Sequence, residues 1–494
     1  MNSVLSTWPR RAGLAMWILV LTAAVMLVWS VGVGENESST LTKGDWMKRL
    51  IGVPGLLALL TFLITTIVMQ ANALAASAVS TEQLAATTKE GPAKPFMAQV
   101  VGLEWLNPLQ RRDYPTEWQV LWAQGLVQPN KGDDMVRTEP ASFTTLQSVA
   151  GIAYGNHGKE TFDGFYEKYV DKLLGLFGTP YVTNSKYFYT VASDNKKDWR
   201  ELAGIHVQFA IPERLDPVEA RDFLRKSVIA EFNIGNKHFK TLWSDDTPPD
   251  VHVFPGGENA GFTSLNNALD YLQANPDKSA WAMNWDAPSF PPKDAQLNEN
   301  MVLLFLAGPT FKTERAPLAW IGKAATANVH DFQKQPGKTR AVEAWKAAIA
   351  TAAQNANVSP MDIDYVIHDA GQGSDAASSR IGRFAQSLTE ALPEFDFQKQ
   401  IFNTPALLGE MGAGTALTDV VLAIGRANHL GQKVLVAGTT DPDHPMAVVV
   451  TPPAQVVPID LDKDWFRARG ANNAYLPWWG RRFDVKYGPQ GASF

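Results

Sequence analysis

One order of elements, met twice, does most to limit how this chain can fold. His206 to Ile211 reads as a strand (HVQFAI). Asp216-Pro217 then opens a helix, because Asp caps a helix start and Pro suits its first position. That helix runs to about Phe232, with Val218, Phe223, Val228, Ile229 and Phe232 on one broad face. Val251 to Phe254 is a strand, Gly256-Gly257 a turn, and Thr263 to Leu272 a short helix. Ala280 to Trp285, Met301 to Leu306 and Leu318 to Ile321 are strands. The pattern then restarts. Thr339 to Asn355 is an Ala-rich helix, Tyr365 to Ile367 a strand, Ser378 to Leu392 a helix. Glu410 to Leu430 is a long helix that begins on small residues (Gly412, Ala413, Gly414, Ala416). Lys433 to Ala437 and Met446 to Val450 are buried strands. Strand, helix, strand, helix and two adjacent strands, twice over, implies an α/β fold of two similar halves, about 200–325 and 326–453. Short apolar strands between helices favour mixed sheets covered on their faces. The halves share no repeated motif, so the inference is topological.

The N-terminal part is of another kind. Ala12 to Val33 carries no charge, and at 1.5 Å per residue such a run spans a hydrocarbon core of about 30 Å. A second run from Leu50 to about Ala76 has only scattered polar residues, with Pro54 and Gly55 in its first turn. The first run is too long for a cleaved signal peptide, and a second follows it closely. Residues 1–76 are therefore expected to form a two-helix transmembrane hairpin. Arg10 and Arg11 favour a cytoplasmic N-terminus, Lys43, Lys48 and Arg49 in the loop oppose it, and Lys89 and Lys94 follow the second run. The flanks slightly favour both termini inside, which places the bulk of the chain in the cytoplasm at the inner membrane. Residues 77–95, rich in Ala, Thr and Ser, read as a linker, and the soluble domain is expected over 96–460.

Several chemistries are excluded by composition. None of the 494 residues is Cys, so disulfides, thiolate metal sites and a Cys nucleophile are all ruled out. Lys+Arg 44 against Asp+Glu 50 gives a formal net charge of -6, which argues against nucleic acid as a partner. No Gly-x-Ser-x-Gly elbow, His-Glu-x-x-His, P-loop or EF-hand pattern occurs. The eight His are scattered, with none paired at i,i+4, and no metal or cofactor is expected. Asp441, Asp443 and His444 fall in the turn TTDPDHP, where Pro and Asp are turn formers.

The order of elements over roughly 200–453 resembles the thiolase fold, in particular its β-ketoacyl synthase branch. The stretch Gly257 to Leu269 (GENAGFTSLNNAL) matches the family's nucleophile region, with Gly261 about where Cys should stand. Val366 to Ser374 (VIHDAGQGS) matches the motif that ends a strand, with His368 at its first histidine. Asn403 to Gly414 (NTPALLGEMGAG) matches the third element, with Glu410 in place of the second His and Pro405 near the Lys position. The resemblance implies duplicated αβαβα layers. Its departures speak against the chemistry. Condensation needs a thiolate to carry the acyl group and two donors to stabilise developing anions. An ionised Glu410 donates nothing and repels such charge. Thr263 and Ser264 are weak nucleophiles without a base. His368 is read either as a buried hydrogen-bonding residue or as a surviving functional one.

Over the whole chain, the hairpin, the stretch Gly102 to Leu109 (GLEWLNPL) and a degenerate thiolase-like body resemble the adaptor proteins encoded beside type VI secretion lipases. That resemblance implies a non-catalytic, membrane-anchored adaptor that binds a phospholipase effector and helps load it on the secretion spike. The alternatives are a binding module for an acyl-thioester or lipid, or an altered acyl-transfer enzyme using Glu410 or His368 as base. Trp105 and Trp118 near the start of the body are candidate partner contacts. So are Trp465, Trp478, Trp479, Arg481 and Arg482 in the tail 461–494, because Trp and Arg are enriched at binding hot spots. The other reading is that these Trp fold back on the sheet while the Arg are solvated. Phe162 to Phe177 is amphipathic and is either a partner-facing insertion or a helix covering a sheet. Thiolase-fold proteins usually pair, and a homodimer is left open.

Overall fold

The computed structural model describes residues 95–106, 120–126 except 122, 170–178 except 172, 204–234 except 233, 248–287, and 300–459 except 314 and 335. The hairpin 1–76, Trp118, Phe162 and the tail 461–494 lie outside the described residues. Among the described residues no helix is long and apolar enough to cross a membrane.

Eleven strands form one mixed sheet: β1 Met97–Leu106, β2 His206–Pro212, β3 Asp250–Gly256, β4 Ser279–Asp286, β5 Asn300–Ala307, β6 Ala319–Gly322, β7 Ala325–Thr326, β8 Tyr365–His368, β9 Ile401–Asn403, β10 Val434–Gly438 and β11 Met446–Thr451. The spatial order is β3-β2-β4-β5-β1-β6-β11-β10-β8-β9, with β7 beside β11. This path is a duplication. β2 is parallel to β3 and β4, while β5 is antiparallel to both β4 and β1. In the same way β8 is parallel to β9 and β10, while β11 is antiparallel to β10 and β6. The two sets meet where β1 pairs antiparallel with β6, Met97 opposite Gly322 and Val100 opposite Ala319. The mixed, duplicated α/β architecture expected from the order of elements is therefore present.

The helices complete each set: α1 Pro217–Glu231, α2 Ala260–Ala274, α3 Arg340–Asn355, α4 Asp375–Ala391, the short α5 Thr404–Leu408, and α6 Thr415–Leu430. α6 is buried from Thr415 to His429 and packs on α2 and on strands of both sets. Only a helix enclosed on every side loses its polar face, so α6 lies between the two halves of the sheet. The second set shows the layering directly. Tyr365, Ile367, Val434, Val436, Val448 and Val450 join the core that contains α6. Their neighbours Val366, Leu435, Ala437, Ala447 and Val449 join a second core with α3 and α4. Alternation along a strand sends successive side chains to opposite faces, so both faces of this sheet are covered. In the first set, Phe177 from the helical stretch 170–178 packs edge-on against Trp281 and Phe305, filling the place that α3 takes over β11.

Local signals explain most boundaries. Asp216 accepts hydrogen bonds from the N–H groups of Val218 and Glu219, with Pro217 first in α1. On α1, Val228 and Phe232 are buried and Phe223 and Ile229 pack on the core as expected, joined by Ala220 and Leu224, while Val218 is exposed. We expect Asp216→Ala to lower stability by about 1 kcal/mol, read from a denaturant midpoint. Thr339 caps α3 through Val342 N–H. The long helix expected from Glu410 is broken instead. Gly412–Gly414 forms a 3-10 turn and α6 starts at Thr415. The cause lies on β4 and β5. Asp286 accepts from Ala413 N–H at 2.9 Å, and Asn300 Nδ2 donates to Gly414 O at 2.6 Å, so side chains of β4 and β5 tie down the turn that precedes α6.

Candidate functional site

The three positions singled out in the sequence converge about the start of α6. Gly261 lies in the first turn of α2 and is buried. A Cβ there would meet Ala416 Cβ and Asn284 Nδ2 at 3.0 Å and Leu417 Cγ at 3.1 Å. The missing side chain is thus what lets α2 approach α6 and β4. The next hydroxyl is committed to the fold. Ser264 Oγ donates to Gln208 O at 2.6 Å and accepts from Met283 N–H at 3.1 Å. Thr263 instead lines an open cleft of about 330 Å³, with Glu258, Asn259, Thr440 and Asp441 also on its wall.

His368 ends β8 and is 4% exposed. Its Nδ1 accepts from Ala370 N–H at 3.1 Å, which puts the ring proton on Nε2. Burial beside the Phe384 ring holds its pKa down to about 4, so the imidazole is neutral at pH 7. The following residue, Asp369, was not singled out in the sequence. Its Oδ1 accepts from both the N–H and the Oγ1 of Thr439, at 2.6 and 2.7 Å, and burial pushes its pKa up to about 6. Asp419 on α6 is also buried, with one carboxylate oxygen lacking a hydrogen-bond partner. Burial, with the charge of Asp369 adding to it, raises the Asp419 pKa well above the usual carboxylate range.

Glu410 lies against Gly371, where φ is +74° and a Cβ would come within 2.9 Å of Glu410 Oε1. A side chain at 371 would therefore be strained and would push the carboxylate away. Burial raises the Glu410 pKa, Arg380 opposes the rise, and Glu258 adds to it. Acids thus dominate the site: Asp369 and Glu410 each interact with Glu258 and with the Arg380 guanidinium, and Asp419 interacts with Asp369. An oxyanion or enolate forming there would face negative charge where catalysis needs donors. Asn284, next to Gly261, is fully buried, and neither its oxygen nor its nitrogen has a hydrogen-bond partner among the described residues.

Trp105 is not a surface residue. It is fully buried in β1, and its indole N–H donates to Asn300 Oδ1 at 2.7 Å. This removes its aromatic face from any partner. Trp118, Trp465, Trp478, Trp479, Arg481 and Arg482 lie outside the described residues. The Asp441–His444 segment is an exposed turn as its composition implied, with Asp441 Oδ1 accepting from the N–H groups of Asp443 and His444.

The geometry defines a duplicated α/β body whose convergent site holds a neutral histidine and a group of carboxylates, in a chain without a thiol. Residues 318–452 match the family model described as "Type VI lipase adapter protein Tla3, C-terminal". That is the adaptor family which the whole-chain resemblance named. Comparison with curated proteins finds no match. Among solved structures, the ishigamide ketosynthase/chain length factor aligns at 15% identity and a TM-score of 0.44, over 72% of this chain and 100% of its own. A ketosynthase domain of oxazolomycin synthesis from Streptomyces albus JA3453 aligns at 14% and 0.45, over 76% and 100%. The peroxisomal 3-ketoacyl-CoA thiolase of Saccharomyces cerevisiae aligns at 10% and 0.41, over 74% and 99%.

Proposed function

We propose that this chain is a non-catalytic adaptor that binds a type VI lipase effector, holds it at the inner membrane on the cytoplasmic side, and assists its loading on the spike. The observation that carries this reading is the match of residues 318–452 to the adapter family. The site supports it. Gly261 stands where a condensing enzyme needs its nucleophile, and Glu410 stands where it needs a donor. The two apolar runs of residues 1–76 supply the anchor. The tail residues Trp465, Trp478, Trp479, Arg481 and Arg482, with Trp118, supply the partner contacts.

The test is affinity purification of the full chain from membranes of cells that express a type VI lipase. The lipase co-purifies with the wild type, and joint replacement of Trp478, Trp479, Arg481 and Arg482 by alanine releases it. Acyl-transfer assays on the same preparation give no turnover. Turnover that disappears in His368→Ala or Glu410→Ala would refute the non-catalytic reading. The cleft beside Thr263 favours a second reading, a module that holds an acyl-thioester or lipid without turning it over. Recovery of an acyl ligand, with no lipase, decides for it.

A further inference from the structure

Among the described residues β3 is a terminal strand of the sheet, and its parallel pairing with β2 brings together side chains that lie far apart in sequence. His206 stands opposite Asp250, and Gln208 opposite His252. Positions two apart on a strand share a face, so all four side chains project to one side. Asp250 Oδ2 lies 2.8 Å from His206 Nδ1 and 3.0 Å from His252 Nε2. The three donor atoms lie within 4.8 Å of one another, the one such group of three among the described residues. Two donors each about 2.0–2.1 Å from one tetrahedral ion are about 3.3 Å apart, within about 0.5 Å of both separations. A small outward shift of the donors would bring the cluster to the spacing of a coordination sphere.

Its support fits the same role. The His206 ring is buried and lies flat on Tyr271, with centroids 3.9 Å apart and planes 6° apart, so its orientation is set in advance. Its Nε2 faces the side-chain amide of Gln208 at 2.5 Å. Turned to present its oxygen, that amide accepts the Nε2 proton when Nδ1 gives its lone pair to a metal, the usual outer partner of a ligating histidine. The side chains of Asp250 and His252 are 62% and 50% exposed, so solvent reaches the remaining coordination positions.

We propose that His206, Asp250 and His252 bind a first-row transition-metal dication, zinc being the ion of this donor set, through two imidazoles and one carboxylate on the sheet edge. Calcium and magnesium take oxygen ligands and do not suit two nitrogens. Neither the adaptor reading nor the acidic site at α6 depends on this site.

The test is a zinc titration of the chelator-stripped full chain against a chromophoric chelator, with Co²⁺ visible absorption as a second readout. The wild type takes up one tightly held equivalent. His252→Ala and Asp250→Asn each weaken it by about 100-fold or more, and Gln208→Leu by about 10–100-fold. His444→Ala, in the exposed His444–Asp441 pair (3.0 Å), leaves it unchanged. No stoichiometric uptake would overturn the proposal, leaving the cluster a hydrogen-bonded clamp on the edge strand. So would uptake that His252→Ala does not weaken.

Discussion

Replacing Trp105 by alanine is expected to destabilise the body by about 3–5 kcal/mol, the range for deleting a fully buried aromatic side chain. Trp105 is one of the largest side chains in the core, and it stands on β1, the strand that touches both sets. Its loss also strips Asn300 Oδ1 of its donor. Asn300 also donates to Gly414 O, at the N-cap of α6, and bonds Thr418 Oγ1, so the start of α6 would loosen with it. Denaturant or thermal unfolding of the full chain measures the effect. Trp105→Phe keeps most of the volume and loses the hydrogen bond, and should fall between wild type and alanine. If Trp105→Ala left the midpoint unchanged but abolished partner binding, the burial described here would be wrong.

The second large effect is one of pH. The pKa of Asp369 rises on folding from the ordinary 3.8 to about 6. A carboxyl of that kind contributes stability below its unfolded pKa and loses it as pH rises through the folded one. Asp369→Asn keeps an acceptor for Thr439 and cannot ionise. It should therefore gain up to about 3 kcal/mol at pH 7, with the gain vanishing below the unfolded pKa. His368 has the opposite slope. Its pKa falls from 6.5 to about 4 on folding, so its contribution is present above 6.5 and lost as pH falls toward 4. In the wild type the two slopes partly cancel between pH 4 and 6. In Asp369→Asn one of the opposing slopes is removed, and the variant should lose stability more steeply on acidification. Unfolding midpoints at pH 7, 5.5 and 4 test this. A variant no more stable than wild type at pH 7 would show that the Asp369 carboxylate is not held at a cost.

The repeat was legible because each half keeps short apolar strands between capped helices, and Asp216-Pro217 and Thr339 mark two starts plainly. β1 was not legible as a strand. A register shift between Val100 and Gly102 breaks its alternation, and its partners lie about two hundred residues on. β9 is three residues long, too short for any periodicity. The break before α6 depends on Asp286 and Asn300, which act from other strands. At the site, family motifs located Gly261, His368 and Glu410. Asp419 emerged only from burial, because an acid on a helix reads as solvated until both faces are seen to be covered. The His206–Asp250–His252 cluster was hidden for a similar reason. Its members carry no i,i+4 spacing on one helix, and a parallel register brings them together instead.

The placing of β1 has a consequence for how the protein comes into being. Gln99 pairs with Ala307 on one side and with Trp320 on the other, so the strand has no partner until β5 has been made and keeps one edge open until β6 follows. At about 5–20 residues per second, translation leaves this apolar ribbon with both edges open for tens of seconds. Until its late partners arrive it is an adhesive segment in need of shelter, and nascent-chain escort is the demand that this topology places on the cell.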